Sequence, residues 1–272
     1  MVENILDRII QTKRKELEQA KAQRPLEELK AAVRDMPRPR NFFTACSRPP
    51  RRLTNIIAEV KRASPSAGVI RDAFDPVAIA RQYVAAGVNA ISVLTDRQYF
   101  HGSLEDLRAV RAAVSVPLLR KDFIVDPYQV YEAREAGADA VLLIAACLKP
   151  GEMIDLLILA SSLQLTCLIE VHGLDELLQM RSLIGFPHAS YSLLGINNRN
   201  LRTLDVDLST TLRLAEMVED HSKLVSESGI RTRQDVQRLR AVGVNTVLIG
   251  ETLMRAGDIN ATVEEIFGPS QS

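Results

Sequence analysis

The chain predicts an α/β fold, a (β/α)8 TIM barrel with an N-terminal helical extension. Three observations carry this. From residue 53 onward, short and nearly continuous apolar runs alternate with helical segments. A pattern of helix end, glycine, Asn or Asp, then strand recurs in AAGVNAISVL (85–94), EAGADAVLLI (135–144) and AVGVNTVLIG (241–250). The rival architecture, a doubly wound open sheet, usually carries a G-x-G-x-x-G turn after its first strand, and none stands here.

Taken in order, residues 1–52 form the extension and 53–272 the barrel, a length that fits one large α/β barrel. In ILDRIIQTKRKELEQAKAQ the apolar positions Ile5, Leu6, Ile9, Ile10 and Leu17 make an amphipathic helix with a charged back. Pro25 starts a second helix, PLEELKAAVRDM. These helices either plug the barrel bottom or lie across its mouth, and spacing leaves both open. RPPRR (48–52) reads as a solvated linker. The strands follow: NIIAEVK (55–61), NAISVLT (89–95), PLLRKDF (117–123), ADAVLLIA (138–145), LTCLIEV (165–171), SLLGIN (192–197), KLVSES (223–228) and TVLIGE (246–251). Parallel strands covered on both faces read as such continuous apolar runs. The recurring glycine suits the residue after a helix, where the left-handed conformation costs it little.

Composition removes several classes of function. Thirty-four Lys and Arg balance 34 Asp and Glu, so no net field draws nucleic acid or an anionic membrane. No apolar stretch reaches the ~18 residues of a bilayer span. Glu3 and Asp7 place charge where a secretory signal would be apolar. The three cysteines, Cys46, Cys147 and Cys167, are odd in number and lack C-x-x-C spacing. Cys147 and Cys167 sit in apolar runs and read as core residues, as expected of a cytoplasmic protein. The four histidines show no metal-binding pairing, so no metal is expected.

The chemistry lies in charges at strand ends. Side chains alternate along a strand, so Ile57, Glu59 and Lys61 share one face. Leu119, Lys121 and Phe123 share another, as do Leu168, Glu170 and His172, then Leu193, Gly195 and Asn197, then Val225 and Glu227. A lone charge at a strand end usually marks exit into water. Here Lys61, Lys121 and Glu170 end the first, third and fifth strands in matching phase, and alternate strands of a barrel fill the same interior layer. Two lysines and a carboxylate should therefore meet at the mouth, where barrel enzymes keep their chemistry. Arg120 and Asp122 fall on the opposite face and read as structural. The loops after strands 7 and 8, SESGI (226–230) and IGETLM (249–254), offer backbone N–H groups and a hydroxyl for an anion. Ser64 and Ser66 could add hydroxyls from the loop after strand 1.

EVKRASPS (59–66), LTDRQYFHGS (94–103), LRKDFIVDPYQVYEAREAGADAVLLI (119–144), LIEVHG (168–173), GINNRNL (195–201), VSESGI (225–230) and LIGETLM (248–254) together closely resemble the indole-3-glycerol phosphate synthases. The likeness runs from about residue 5 to 267. No second barrel follows, so it resembles the monofunctional form. The resemblance implies a sugar-phosphate substrate, 1-(2-carboxyphenylamino)-1-deoxyribulose 5-phosphate, and no cofactor. It implies that Lys121 is the general acid in ring closure, that Glu170 and Lys61 assist dehydration with their roles undivided, and that Glu59 holds Lys61. It assigns Asn197, Arg199, Ser228, Phe100 and Phe123 to substrate, the two rings packing on its aromatic part. It assigns Ser64, Gly229, Gly250 and Glu251 to phosphate; where some relatives have serine at the last position, only the backbone N–H of Glu251 can donate.

Two other readings compete. An interior lysine beside a carboxylate also suits a Schiff-base aldolase, which borohydride would trap. A sugar-phosphate sensor needs no acid–base set, and Glu59, Lys61, Lys121 and Glu170 together argue against it. A monomer is expected over a dimer, with no nucleic-acid or membrane partner.

Overall fold

The computed structural model describes residues 5–188, 191–201 and 203–270; Glu3 lies outside them. Among the described residues, eight parallel strands close into one barrel. They are β1 (Asn55–Val60), β2 (Ala90–Leu94), β3 (Leu118–Lys121), β4 (Ala140–Ile144), β5 (Thr166–Val171), β6 (Ser192–Asn197), β7 (Leu224–Glu227) and β8 (Thr246–Ile249). Each pairs with its neighbours in sequence, and β1 closes on β8 with Asn55 opposite Thr246. Several strands stop one or two residues short of the apolar run that predicts them, so Lys61, Asp122 and Phe123 stand just beyond their strands.

The outer helices are α4 (Pro76–Ala85), α5 (Leu104–Ala113), α6 (Pro127–Glu135), α7 (Pro150–Ser162), α8 (Leu174–Met180), α9 (Ser209–Ala215), α10 (Arg233–Ala241), the short α11 (Glu251–Met254) and α12 (Ile259–Phe267). Their starts follow local chemistry. Asp75, Ser103, Asp126, Thr232 and Asp258 each accept a backbone N–H of the first turn, and Pro76 and Pro127 open their helices. The three recurring glycines, Gly87, Gly137 and Gly243, take φ of 78°, 88° and 87°. Each follows a helix as the repeat predicts. The polar residue two further on has work as well: the Ile56 amide donates to Asn89 at 2.8 Å and the Leu118 amide to Asp139 at 2.8 Å. In these two copies the repeat ends a helix and ties down the start of the neighbouring strand; in the third the Asn245 side-chain oxygen makes no such bond.

Alternation sorts the core into two layers. Ile56, Ala58, Val60, Ile91 and Val93 point outward and pack beneath the helices. Ile57, Ala90, Leu119, Leu142, Leu168, Leu193, Val225 and Leu248 point inward and fill the barrel. Each fully buried Val, Leu or Ile among them contributes about 1.5–3 kcal/mol.

The extension works at both ends of that interior. Helix α1 (Ile5–Gln23) brings Ile9 to the inner cluster beside Phe123, at the C-terminal ends of the strands. Helix α3 (Phe42–Ser47), absent from the sequence-based expectation, brings Phe42 and Cys46 to the same cluster from the other end. There the Asn55 side chain donates to the carbonyls of Cys46 and Arg48 at 2.9 and 2.8 Å, and Thr246 Oγ1 also donates to Cys46. So α1 covers the mouth and α3 plugs the bottom. Helix α2 (Leu26–Arg34) packs Leu29 against Tyr128 of α6. The arginine-rich segment before β1 is more than a linker, because Arg52 donates to the carbonyls of Ala86 and Gly268.

Candidate active site

The strand ends open into a cavity of about 590 Å³. Every residue assigned above to catalysis, substrate or phosphate lines it: Glu59, Lys61, Ser64, Phe100, Lys121, Phe123, Glu170, Asn197, Arg199, Ser228, Gly229, Gly250 and Glu251. Ile5, Leu6 and Ile9 of α1 form part of its wall.

The carboxylates of the cavity are almost sealed from solvent: Glu59 is 4% exposed, Glu170 2% and Glu227 1%. Buried charges are costly unless paired, and these are. Lys61 Nζ lies 2.7 Å from Glu59 Oε1. Lys121 Nζ lies 3.2 Å from Glu170 Oε2 and 3.4 Å from Glu227 Oε2. His172 Nε2 lies 3.0 Å from Glu170 Oε1. Both oxygens of Glu170 therefore face a cation. His172 is itself steered by Glu176, which accepts the His172 backbone N–H at 2.8 Å and lies 3.4 Å from Nδ1.

These distances set the protonation states. Burial works against the Lys121 ammonium, but Glu170, Glu227 and Glu59 outweigh it and hold its pKa above the usual lysine range. Burial likewise opposes charge on Glu170, yet Lys121, His172 and a hydrogen bond from Asn197 hold it well below the usual carboxylate range. Glu59 is also lowered, with Lys61 and Lys121 overcoming its burial. Glu227 goes the other way: burial and the neighbouring Glu170 raise it, and Lys121 only partly compensates. For His172 the two glutamates overcome burial and push the imidazole up to about 9. At neutral pH the site holds a charged lysine, a charged Glu170 and a Glu227 poised to keep its proton.

Two glycines make this arrangement possible. A Cβ on Gly195 would stand 2.2 Å from Glu227 Oε1, and one on Gly250 2.5 Å from Glu59 Oε1. Bare positions on β6 and just past β8 thus leave room for carboxylates on β7 and β1.

The loop side of the cavity is ordered by polar contacts. Arg199 Nη1 donates to Ser66 Oγ at 3.0 Å, joining the loop after β6 to the loop after β1. Strict alternation would send Ser228 outward, but β7 ends at Glu227 and Ser228 and Gly229 both take positive φ, 66° and 79°. Buried Asn198 holds this turn, donating to the carbonyls of Glu227 and Ser228, each at 3.0 Å. Glu251 Oε1 accepts from Arg255 Nε at 3.0 Å, so its carboxylate is occupied by the residue that ends α11.

Phe100 and Phe123 meet with ring centroids 6.1 Å apart and planes at 41°. Arg120 and Asp122 form a buried pair at 3.0 Å; Arg120 lies outside the cavity, whereas Asp122, just past the end of β3, lines it. Glu227 and His172 were not among the assigned residues. Their signal was the strand phase shared with Val225 and with Glu170. Arg231 and Arg255 also line the cavity, and nothing in local spacing singles them out. Cys46 and Cys167 are buried and Cys147 half-buried, and burial raises all three thiols.

No helix among the described residues is long and apolar enough to cross a membrane, and no cluster of potential metal ligands occurs among them. The sequence pattern of the family described as indole-3-glycerol phosphate synthase matches residues 6–266. The indole-3-glycerol phosphate synthase of Rhodopirellula baltica is 47% identical over 263 residues, 97% of this chain and 98% of that one. Among solved structures, a thiamine phosphate pyrophosphorylase from Pyrococcus furiosus aligns over 79% of this chain and 95% of its own, with a TM-score of 0.57 and 17% identity. A 3-hexulose-6-phosphate synthase from Salmonella typhimurium aligns over 78% and 96%, with a TM-score of 0.61 and 13% identity. At such identities these two structures speak for the barrel fold alone.

Proposed function

Since the chain belongs to the indole-3-glycerol phosphate synthase family, we propose that the cavity at the barrel mouth carries that reaction through Lys121, Glu170 and Lys61. The enzyme is a carbon–carbon lyase. It closes a ring on 1-(2-carboxyphenylamino)-1-deoxyribulose 5-phosphate, releases carbon dioxide and water, and forms indole-3-glycerol phosphate. The observation that carries the assignment of residues is the convergence of two lysines and the nearly buried carboxylate of Glu170 on one cavity.

Attack of the aromatic carbon on the substrate ketone develops negative charge on oxygen. Lys121, held as an ammonium chiefly by the charged Glu170, stabilises that charge and donates the proton. Carbon dioxide leaves only after the new bond has formed, when the ring can accept the electron pair. Loss of water then needs an acid at the departing hydroxyl and a base at the ring. Lys61, tethered by Glu59, and Glu170, kept as a carboxylate, are the pair suited to this step. Asn197, Arg199 and Ser228 position the substrate, and Phe100 and Phe123 pack on its aromatic ring. Ser64 and the backbone N–H groups of Gly229, Gly250 and Glu251 hold the phosphate, a use of the loops after strands 7 and 8 common in barrels.

The direct test supplies the carboxyphenylamino-deoxyribulose phosphate and follows indole fluorescence. Product is expected from the purified chain without additions. Its absence with folded protein would reject the assignment.

A further inference from the structure

Helix α1 carries a lysine that solvent barely reaches. Lys13 is 4% exposed and shares its buried face with Ile9 and Leu17. An ammonium in such a place needs partners, and it has three. Its Nζ lies 3.0 Å from Asp96 Oδ2, 3.0 Å from Asp122 Oδ1 and 2.8 Å from Glu16 Oε2. Glu16 belongs to the same helix. Asp96 and Asp122 belong to the barrel, just past β2 and β3, and both are buried.

Each of these two aspartates also holds a backbone segment of the cavity. Asp96 Oδ1 accepts the N–H groups of Tyr99 and Phe100 at 2.8 and 3.2 Å. Asp122 Oδ1 accepts the N–H of Phe123 at 2.9 Å, while its Oδ2 accepts from Thr95 and Arg120 at 2.7 and 3.0 Å. Phe100 and Phe123 are the two rings that meet in the cavity. One ammonium therefore bridges two carboxylates, and each carboxylate holds the amide of one ring. A second contact from the same helix reaches the same loop, with Thr12 Oγ1 3.1 Å from the Tyr99 hydroxyl. Lys13 itself lines a neighbouring cleft, and its influence on the cavity runs through these carboxylates.

We propose that Lys13 is a positioning residue: from the helix that covers the mouth it clasps Asp96 and Asp122, and so presets Phe100 and Phe123 as the wall for the substrate's aromatic ring. The proposal rests on the reading of the reaction given above. It assigns part of the N-terminal extension to recognition of the aromatic half of the substrate. Preorganisation of this kind acts on binding and orientation, because the groups that would otherwise have to be ordered by substrate are already in place.

A strut that merely holds the helix would lower stability and loosen the cavity as a whole. The test separates the two. Wild type, Lys13→Gln, Lys13→Arg and Asp96→Asn are compared, each checked for folding by its melting curve. The Asn variant keeps an oxygen for the Tyr99 and Phe100 amides but removes the charge facing Lys13, and it serves if Lys13→Gln does not fold. Three quantities are read: KM and kcat for the carboxyphenylamino-deoxyribulose phosphate, and inhibition by glycerol 3-phosphate, which has the phosphate and no ring. In Lys13→Gln, KM should rise about tenfold while kcat changes less than about threefold. Glycerol phosphate should inhibit as in wild type, and Lys13→Arg should recover most of the loss. An unchanged KM in the folded variants, or a parallel weakening of substrate and glycerol phosphate, would overturn the clasp. Failure of the wild type to convert substrate would instead strike the reading of the reaction, so the two outcomes are distinct.

Discussion

Gly195 and Glu227 share a space that only one side chain can occupy: a Cβ on the glycine would stand 2.2 Å from the glutamate's Oε1. Gly195 lies on β6, next to Glu170 in register on one side and Val225 on the other. The bare backbone there lets carboxylates from β5 and β7 reach the same lysine. Gly195→Ala should therefore displace Glu227, since the clash is with a buried carboxyl group packed in the barrel and Leu168 Cδ1 stands only 3.2 Å away. The expected result is a loss of about tenfold or more in kcat, with about 1–3 kcal/mol of stability, the usual cost of overpacking. Denaturant melts and steady-state rates on the same preparation check both.

The proposed reaction makes Lys121 the general acid. Lys121→Ala should reduce the rate by about 10²–10⁴, the usual contribution of such a group. The same change leaves Glu170 and Glu227 buried without their shared ammonium, so a lowered melting temperature is expected alongside. Near-normal turnover by folded Lys121→Ala would remove this residue from the mechanism.

Glu227 costs stability as pH rises. Its folded pKa is raised, so it binds its proton more tightly in the folded chain than in the unfolded one. The stability this contributes is complete below the ordinary glutamate pKa of about 4.3 and is lost as pH climbs through the raised value. Glu227→Gln carries no such titration. Melting temperatures measured from pH 5 to pH 9 should move in favour of the glutamine variant, even as its activity falls. A gap between the two proteins that is constant with pH would contradict this.

His172 has a separate pH signature. The glutamates on either side raise it to about 9, against an unperturbed value of about 6.5. Its stabilising charge is complete below about pH 6.5 and is lost as pH rises through about 9. Wild type should therefore exceed His172→Gln in melting temperature by most near pH 6, and the difference should close by about pH 10. Equal melting temperatures at pH 6 would show that His172 is not holding Glu170.

Much of the site could be read one strand at a time. Phase along β1, β3 and β5 placed Lys61, Lys121 and Glu170 on inward faces, and the cavity contains all three. The same phase already carried His172 and Glu227, but nothing local distinguishes a glutamate that shares a lysine from one that ends in water. That distinction depends on β6 being bare at Gly195, a relation between different strands.

The sequence by itself determined the period of the strands, the side each residue faces, the glycine-ended helices and the order in which they wind. These are local matters, decided by sterics and hydrophobic alternation within about ten residues. Only the tertiary structure decided that α1 roofs the mouth while α3 stops the base. It also decided that Lys13 meets Asp96 and Asp122, and that Glu170 and Glu227 reach the same Lys121. These relations join residues far apart in the chain. Whether a buried charge finds its partner there depends on how the whole barrel closes, and no local pattern records it.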